Sequence, residues 1–299
     1  MPRASPLNAR PATRVSNVGM DTLPALFISH GSPMTALDPR EAGAFMQALG
    51  PAITARFGRP RALLAVSAHM LTRRHVLLAG ARHEAIYDFG GFPDALYRLR
   101  YDAPGAPDLA PRVAALLDAA GWPVQTLDQG GLDHGIWTPL RYMFPAADVP
   151  VLPLSFAPTD SPGQLFALGQ ALAPLADEAV LIVGSGSLTH NLRMVFGGRA
   201  DIDAAEIPEA AAFRRWVLQR SRARDWAALR DYRRQAPHAA LMHPTDEHWL
   251  PFYVAAGAGG TQAVPERLHA SQTFGCLAMD LYAFGPNAAA LQTPALASA

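Results

Sequence analysis

The sequence predicts a single α/β domain with a mostly parallel or mixed central sheet flanked by helices on both sides. Three observations carry this. Residues 25–29, 61–67 and 179–184 are continuous apolar runs rather than alternating ones, as expected of strands buried on both faces. Each run stops at a turn: His30-Gly31-Ser32-Pro33, Ser67-Ala68-His69 and Ser185-Gly186-Ser187. Helical patterns lie between the runs, and no repeat or linker interrupts the alternation.

The elements follow in order. After the first strand, Asp38 can cap a helix over residues 38–49, with Pro39 at its first position and Gly50-Pro51 ending it. The second strand leads to His69. Residues 76–79 suit a short strand, and residues 86–93 a loop combining two glycines with aromatics, a composition that suits a pocket wall. A helix over 107–120 closes at Gly121, a strand over 124–127 follows, and His134 sits in a Gly-rich turn over 130–137. Then come a strand over 149–155, a helix over 164–176 and the strongest strand, 179–184. Residues 208–234 read as a helical, arginine-dotted outer surface. Thr245 can cap a helix with Glu247 or His248 in its first turn, and 274–282 reads as a last strand. The expected organisation is a disordered extension over 1–22, with Met20 as an alternative start, a domain over 23–284, and a loose Ala- and Pro-rich tail over 285–299.

Composition narrows the function. Of 299 residues, 50% are hydrophobic and 17% charged, enough apolar material for a large core. The formal net charge is zero, so no basic field exists to hold a nucleic acid. The chain has no lysine, which rules out a lysine Schiff base and a P-loop lysine. Cys276 is the single cysteine, read as a packing residue, so any metal must be held by His, Asp or Glu. One cysteine and no secretory leader fit a cytoplasmic protein. No apolar run of ~18 residues marks a membrane span. The expected form is a monomer or small homo-oligomer.

Ten histidines are present, and five lie at strand ends or in turns: His30, His69, His134, His190 and His248. A lone strand-end histidine is more often structural. Five together can supply both metal ligands and a proton carrier, because neutral imidazole is a common metal ligand and titrates near neutrality. Other chemistries fit less well. Residues 185–189 lack the second glycine of a G-x-S-x-G nucleophile elbow, and no G-x-G-x-x-G spacing follows a strand.

Six motifs carry a resemblance: Ser29-His-Gly-Ser-Pro33, Ser67-Ala-His69, Asp88-Phe-Gly-Gly-Phe-Pro93, Leu132-Asp-His-Gly-Ile-Trp137, Thr189-His-Asn-Leu192 and Pro244-Thr-Asp-Glu-His-Trp-Leu-Pro251. In this order they resemble the class III extradiol ring-cleaving dioxygenases of the DOPA 4,5-dioxygenase type, from about Leu23 to Tyr282. The resemblance implies His30, His69 and His248 as metal ligands, and His190 as acid/base close enough to the metal to add a ligand. It implies His134 as a second catalytic histidine meeting substrate oxygens. Ser32, Phe92 and Trp137 are expected to line the substrate pocket. Fe(II) is expected for activity, with Zn(II) able to occupy the site on isolation. The substrates would be a catechol, DOPA or a related one, and O2, giving a muconic-semialdehyde-type product. Many extradiol enzymes use two histidines and a carboxylate, so Asp246 or Glu247 stays open as the third ligand. Two other readings on the same fold are a zinc-dependent hydrolase and a non-catalytic interaction protein.

Overall fold

The computed structural model describes residues 21–197, 201–293 and 296. Most of the expected N-terminal extension, residues 1–20, lies outside them, as do residues 294–295 and 297–299 of the tail. The central sheet has six strands: β1 Ala25–Ser29, β2 Ala62–Ser67, β3 Val151–Pro153, β4 Val180–Gly186, β5 Glu266–His269 and β6 Leu281–Phe284, in spatial order β3-β2-β4-β1-β6-β5. β3, β2, β4 and β1 are mutually parallel, and β6 runs antiparallel to both β1 and β5. The expected mixed, mostly parallel sheet is therefore present.

The continuous apolar runs now have a physical account. Successive side chains of a strand point to opposite faces. Phe27 of β1, Leu64 of β2 and Ile182 of β4 belong to one core, and Leu26, Leu63 and Leu181 to the other. The first core is covered by helices Ala110–Ala119, Pro162–Leu172, Pro208–Ala223 and Leu250–Gly259, and the second by Arg40–Phe57 and His134–Met143. In chain order these are α1 Arg40–Phe57, α2 Ala110–Ala119, α3 His134–Met143, α4 Pro162–Leu172, α5 Pro208–Ala223 and α6 Leu250–Gly259. No helix among the described residues is long and apolar enough to cross a membrane.

Several elements depart from the sequence expectation. α1 begins at Arg40, not Asp38, and runs through Gly50-Pro51 to Phe57. An internal proline costs about 3 kcal/mol. Burying Phe45, Met46, Leu49, Ile53 and Phe57 outweighs that, at roughly 1.5–3 kcal/mol for each large apolar side chain. The stretch 208–234 is not one solvated helix. It breaks at Arg224, whose φ is 56°, and restarts with Asp225 capping the Ala228 amide. Phe213, Val217, Leu229 and Tyr232 are buried, and so is Arg214, whose Nε donates to the buried Asp280 carboxylate at 2.8 Å. The expected strand 274–282 is split because Phe274 and Gly275 adopt positive φ (54° and 69°). They turn the chain between the short strands Gln272–Thr273 and Leu277–Ala278, and β6 starts only at Leu281. The tail expected to be loose forms a 3-10 turn, Ala288–Leu291, that buries Ala288 and Leu291.

Two histidines away from the cluster at the ends of the parallel strands make stability acid-sensitive. His243 is fully buried, with Nε2–H donating to the Leu188 carbonyl at 2.9 Å. Burial lowers its pKa to about 3, and burial likewise lowers that of His269 to about 4. Both stay neutral in the folded chain while the unfolded chain protonates them near 6.5. Their full stability contribution is therefore present above that value and falls as the pH drops from 6.5 toward 4. For His243 alone the slope reaches about 1.4 kcal/mol per pH unit. Urea unfolding at pH 7, 6 and 5 is expected to show a decreasing midpoint, and His243→Gln a shallower decrease.

Candidate metal centre

The three parallel strands β1, β2 and β4 end on the same edge, and the site is built there. His30 follows β1 directly. Gly31, with φ 74°, then turns the chain away, so His30 ends the strand without the backbone crossing its face. His69 follows β2 by two residues, and His190 follows β4 by four. His248 arrives from the opposite direction, on the segment leading into α6. It precedes that helix, which starts at Leu250, rather than lying in its first turn. A side chain at Gly186 would place its Cβ 2.1 Å from the His248 carbonyl oxygen, so glycine at the end of β4 is what admits this segment. His134 is not in a turn but opens α3.

The imidazoles converge. His69 Nε2 lies 3.1 Å from His30 Nε2 and 3.2 Å from His248 Nε2. Their opposite nitrogens are occupied. His30 Nδ1–H donates to Ser185 Oγ at 3.0 Å, and that hydroxyl passes its own proton to the Gly135 carbonyl. His248 Nδ1 lies 3.2 Å from Glu247 Oε1, and His69 Nδ1 lies 3.5 Å from Asp88 Oδ2. With protons held at Nδ1, the Nε2 lone pairs of His30 and His248 each face that of His69. Burial first, then the neighbouring imidazoles, hold His30 and His69 neutral, the latter with a pKa of about 3; burial and His190 do the same to His248.

Three lone pairs at this separation repel unless a cation lies among them. Metal–imidazole bonds of about 2.0–2.1 Å place neighbouring ligand nitrogens roughly 2.9–3.4 Å apart, so the donor set fits a divalent metal. Among the described residues two groupings offer ligand atoms within 4.8 Å of one another: His30, His69 and His134, and His190, Glu247 and His248. Asp246 is directed elsewhere, accepting from Tyr232 Oη at 2.6 Å and from Arg233. Glu247 Oε1 takes the Thr245 hydroxyl at 2.9 Å as well as the His248 ring.

Asp88 ties the other histidines together. Its Oδ1 accepts from the His134 amide and from His134 Nδ1, both at 2.9 Å. Burial raises the Asp88 carboxyl, but His134, by hydrogen bonds and charge, and His69 outweigh it and hold the group below its usual range. Asp133, next to His134, instead accepts from Ser67 Oγ at 2.6 Å. The Ser67 oxygen in turn accepts from the His69 amide at 3.2 Å. The His190 ring stacks on that of His248 at 3.4 Å, 8° from parallel, and burial lowers its pKa to about 4. A cavity of about 380 Å³ opens over the cluster, lined by His69, His134, His190, His248 and an apolar wall.

A model of the catalytic LigB subunit of aromatic ring-opening dioxygenases matches residues 24–284, almost the whole described chain. The chain belongs to this ring-opening dioxygenase family. Relatives agree. A Beta vulgaris protein described as 4,5-DOPA dioxygenase extradiol is 39% identical over 260 residues, covering 86% of this chain and 95% of its own. An Escherichia coli K12 protein of the same description is 38% identical over 240 residues, covering 79% and 85%. A solved structure of an uncharacterised Escherichia coli K12 protein superposes with a TM-score of 0.68 at 30% identity, covering 88% of this chain and all of its own. The family assignment makes the chain a ring-cleaving dioxygenase of the extradiol type.

Within this dioxygenase frame the expected residues divide. His30, His69, His248, His190 and His134 are gathered at one centre, and Ser32 and Phe92 line the cavity above it. Trp137, expected to line the pocket, does not. Its ring is fully buried behind Phe89, with Nε1–H donating to the Ile86 carbonyl at 3.0 Å. Phe89 stands in the wall, as expected of an aromatic in the 86–93 loop, whereas the hydrogen-bonding roles of Asp88 and Ser185 and the wall positions of Leu192, Val195, Phe196 and Leu277 were not anticipated. Asp88 lies inside the Asp88–Pro93 motif, yet spacing assigns no hydrogen-bond partner. Ser185→Ala removes the acceptor that orients His30. Loss of such an outer partner typically costs 10–100-fold in metal affinity. Zn(II) competition against a chromophoric chelator is expected to show a loss of that size with the circular dichroism spectrum unchanged.

Proposed function

We infer that this chain binds a divalent metal through His30, His69 and His248 and inserts both atoms of O2 into a catechol-type ring, giving a muconic-semialdehyde-type product. The observation that carries the reading is the convergence of three Nε2 atoms at 3.1 and 3.2 Å beneath a cavity bounded by two further histidines. Held by these three histidines, a divalent metal, Fe(II) in the active form, would supply a Lewis-acid and redox centre for the catechol and O2.

The remaining work falls to the chain. Asp88 holds the Nδ1 proton of His134, which leaves Nε2 as the atom free to accept a proton. His134 is then the base that takes a phenolic proton as the catechol settles. His190, neutral and stacked on His248, can accept the second proton. His190 would return that proton as the ring opens. The stacked His248 ring fixes the plane of His190. The aromatic wall keeps bulk water from the reacting atoms and positions the ring.

The test is anaerobic reconstitution with Fe(II), addition of a catechol panel, then admission of O2. Equimolar O2 uptake with a yellow semialdehyde product is the expected result. Absence of O2 uptake across the panel, with Zn(II) restoring some other hydrolytic activity, would contradict it.

A further inference from the structure

His190 stands between two residues whose side chains build the wall of its own cavity. Thr189 is fully buried. Its Oγ1–H donates to the Cys276 carbonyl at 2.7 Å, and the same oxygen accepts from the Ala278 amide at 2.8 Å. Cys276 and Ala278 flank Leu277, which lines the cavity together with His190 and with Phe274 from the turn before it. One hydroxyl, donor and acceptor at once, thus does what a residue of a neighbouring parallel strand would do: it bonds the carbonyl before Leu277 and the amide after it. On the other side of His190, Asn191 Oδ1 accepts from the Arg193 and Met194 amides at 3.1 and 3.3 Å. It caps the short helix Leu192–Gly197, whose Leu192 and Val195 also line the cavity.

The backbone that carries His190 is held as closely. The Leu188 amide donates to Ser29 Oγ at 3.1 Å, next to His30, and the His190 amide donates to the Met242 carbonyl at 2.8 Å. The stack on His248 sets the plane of the ring. Neither these bonds nor the stack reaches the hairpin wall. Thr189 does, with two bonds that run from the residue before His190 to both neighbours of Leu277. A general acid or base acts only within hydrogen-bond reach of its proton partner, and a misplacement of about 1 Å can cost about 10²-fold.

We propose that Thr189 is a positioning residue for the proton transfers at His190: its hydroxyl ties the histidine to the Leu277 wall, so that a catechol seated against that wall meets the imidazole at a fixed distance. This rests on the ring-cleavage reading above, in which His190 moves the second proton. Thr189 does not line the cavity and acts through His190.

The experiment sets Thr189→Val, which keeps the side chain's shape and removes the hydroxyl, beside Thr189→Ser, which keeps the hydroxyl. In the Fe(II)-loaded protein Thr189→Val is expected to lower kcat by roughly 10–100-fold while metal content and KM are retained. Thr189→Ser is expected to restore kcat. Thr189→Val combined with His190→Ala should lose no more than His190→Ala alone, since no imidazole is left to position. An unchanged kcat in Thr189→Val, a fall of kcat together with metal content, a Thr189→Ser that does not rescue, or an additive loss in the double variant overturns the proposal. Should Thr189→Val not fold, Thr189→Ala, which leaves space for a water at the two backbone groups, is read in its place with the same expected split. A readout independent of turnover is the His190 ring resonance in Zn(II)-loaded protein carrying isotope-labelled histidine, assigned by its disappearance in His190→Ala. It should be single and shifted by the stacked His248 ring in the unaltered chain and in Thr189→Ser, and broadened or displaced in Thr189→Val. If no form cleaves a catechol, ring cleavage itself fails, and the resonance still decides whether Thr189 positions the ring: an unmoved resonance overturns that.

Discussion

His248→Ala is expected to abolish tight metal binding and, with it, all O2 uptake. The loss should exceed the roughly 10–100-fold that follows removal of an outer hydrogen-bonding partner, because a donor atom itself disappears. The fold should survive. His248 precedes α6 rather than forming part of its core-facing surface, and its backbone carbonyl still accepts from the Ser187 amide at 2.8 Å. Metal content after gel filtration, read beside the thermal unfolding midpoint, checks both halves. Asp246→Ala provides the contrast. Asp246 serves Tyr232 and Arg233, so its removal should lower stability modestly and leave metal content unchanged.

His190→Ala is expected to keep the metal and lose turnover by about 10²–10⁴-fold, the usual range for one positioned acid/base group. Its ring lies face to face with His248 and lines the cavity, which suits proton transfer to a bound catechol. Anaerobic catechol binding, followed by the shift of the catechol's own ultraviolet absorbance on deprotonation, should persist while O2 consumption falls. Loss of metal in this variant would instead make His190 a ligand. His134→Gln should behave differently. It weakens catechol binding as well as turnover, since the base that strips the phenolic proton and the Asp88 contact that orients it are lost together.

Much of this was legible because parallel strands buried on both faces leave a continuous apolar record. β1, β2 and β4 are such runs, and the residues just beyond them, His30, His69 and His190, sit where an open α/β sheet presents functional groups. His248 was harder to place. It comes from a segment held against β4 by the absence of a side chain at Gly186, a contact between residues 62 positions apart that no local pattern encodes. The same reason hid the orienting partners. Ser185 reaches His30 across 155 positions and Asp88 reaches His134 across 46, and nothing in a serine after a strand or an aspartate in a loop announces its acceptor. Trp137 misled because an aromatic in a functional motif resembles a pocket wall. Its indole N–H instead satisfies the Ile86 carbonyl, and the ring packs behind the residue that does face the cavity. Pro51 misled in the opposite sense, since a helix-breaking residue was overridden by the apolar face of α1.

Anomalous diffraction at the metal edge, from crystals of the Fe(II)- or Zn(II)-loaded protein grown anaerobically with a catechol, tests the account most directly. The expected result is one metal bound by His30, His69 and His248 through Nε2 at about 2.0–2.2 Å. His190 and His134 would be uncoordinated, beside the open positions that the catechol oxygens occupy. A metal held instead by His190, Glu247 and His248, with His30 and His69 unligated, would contradict it.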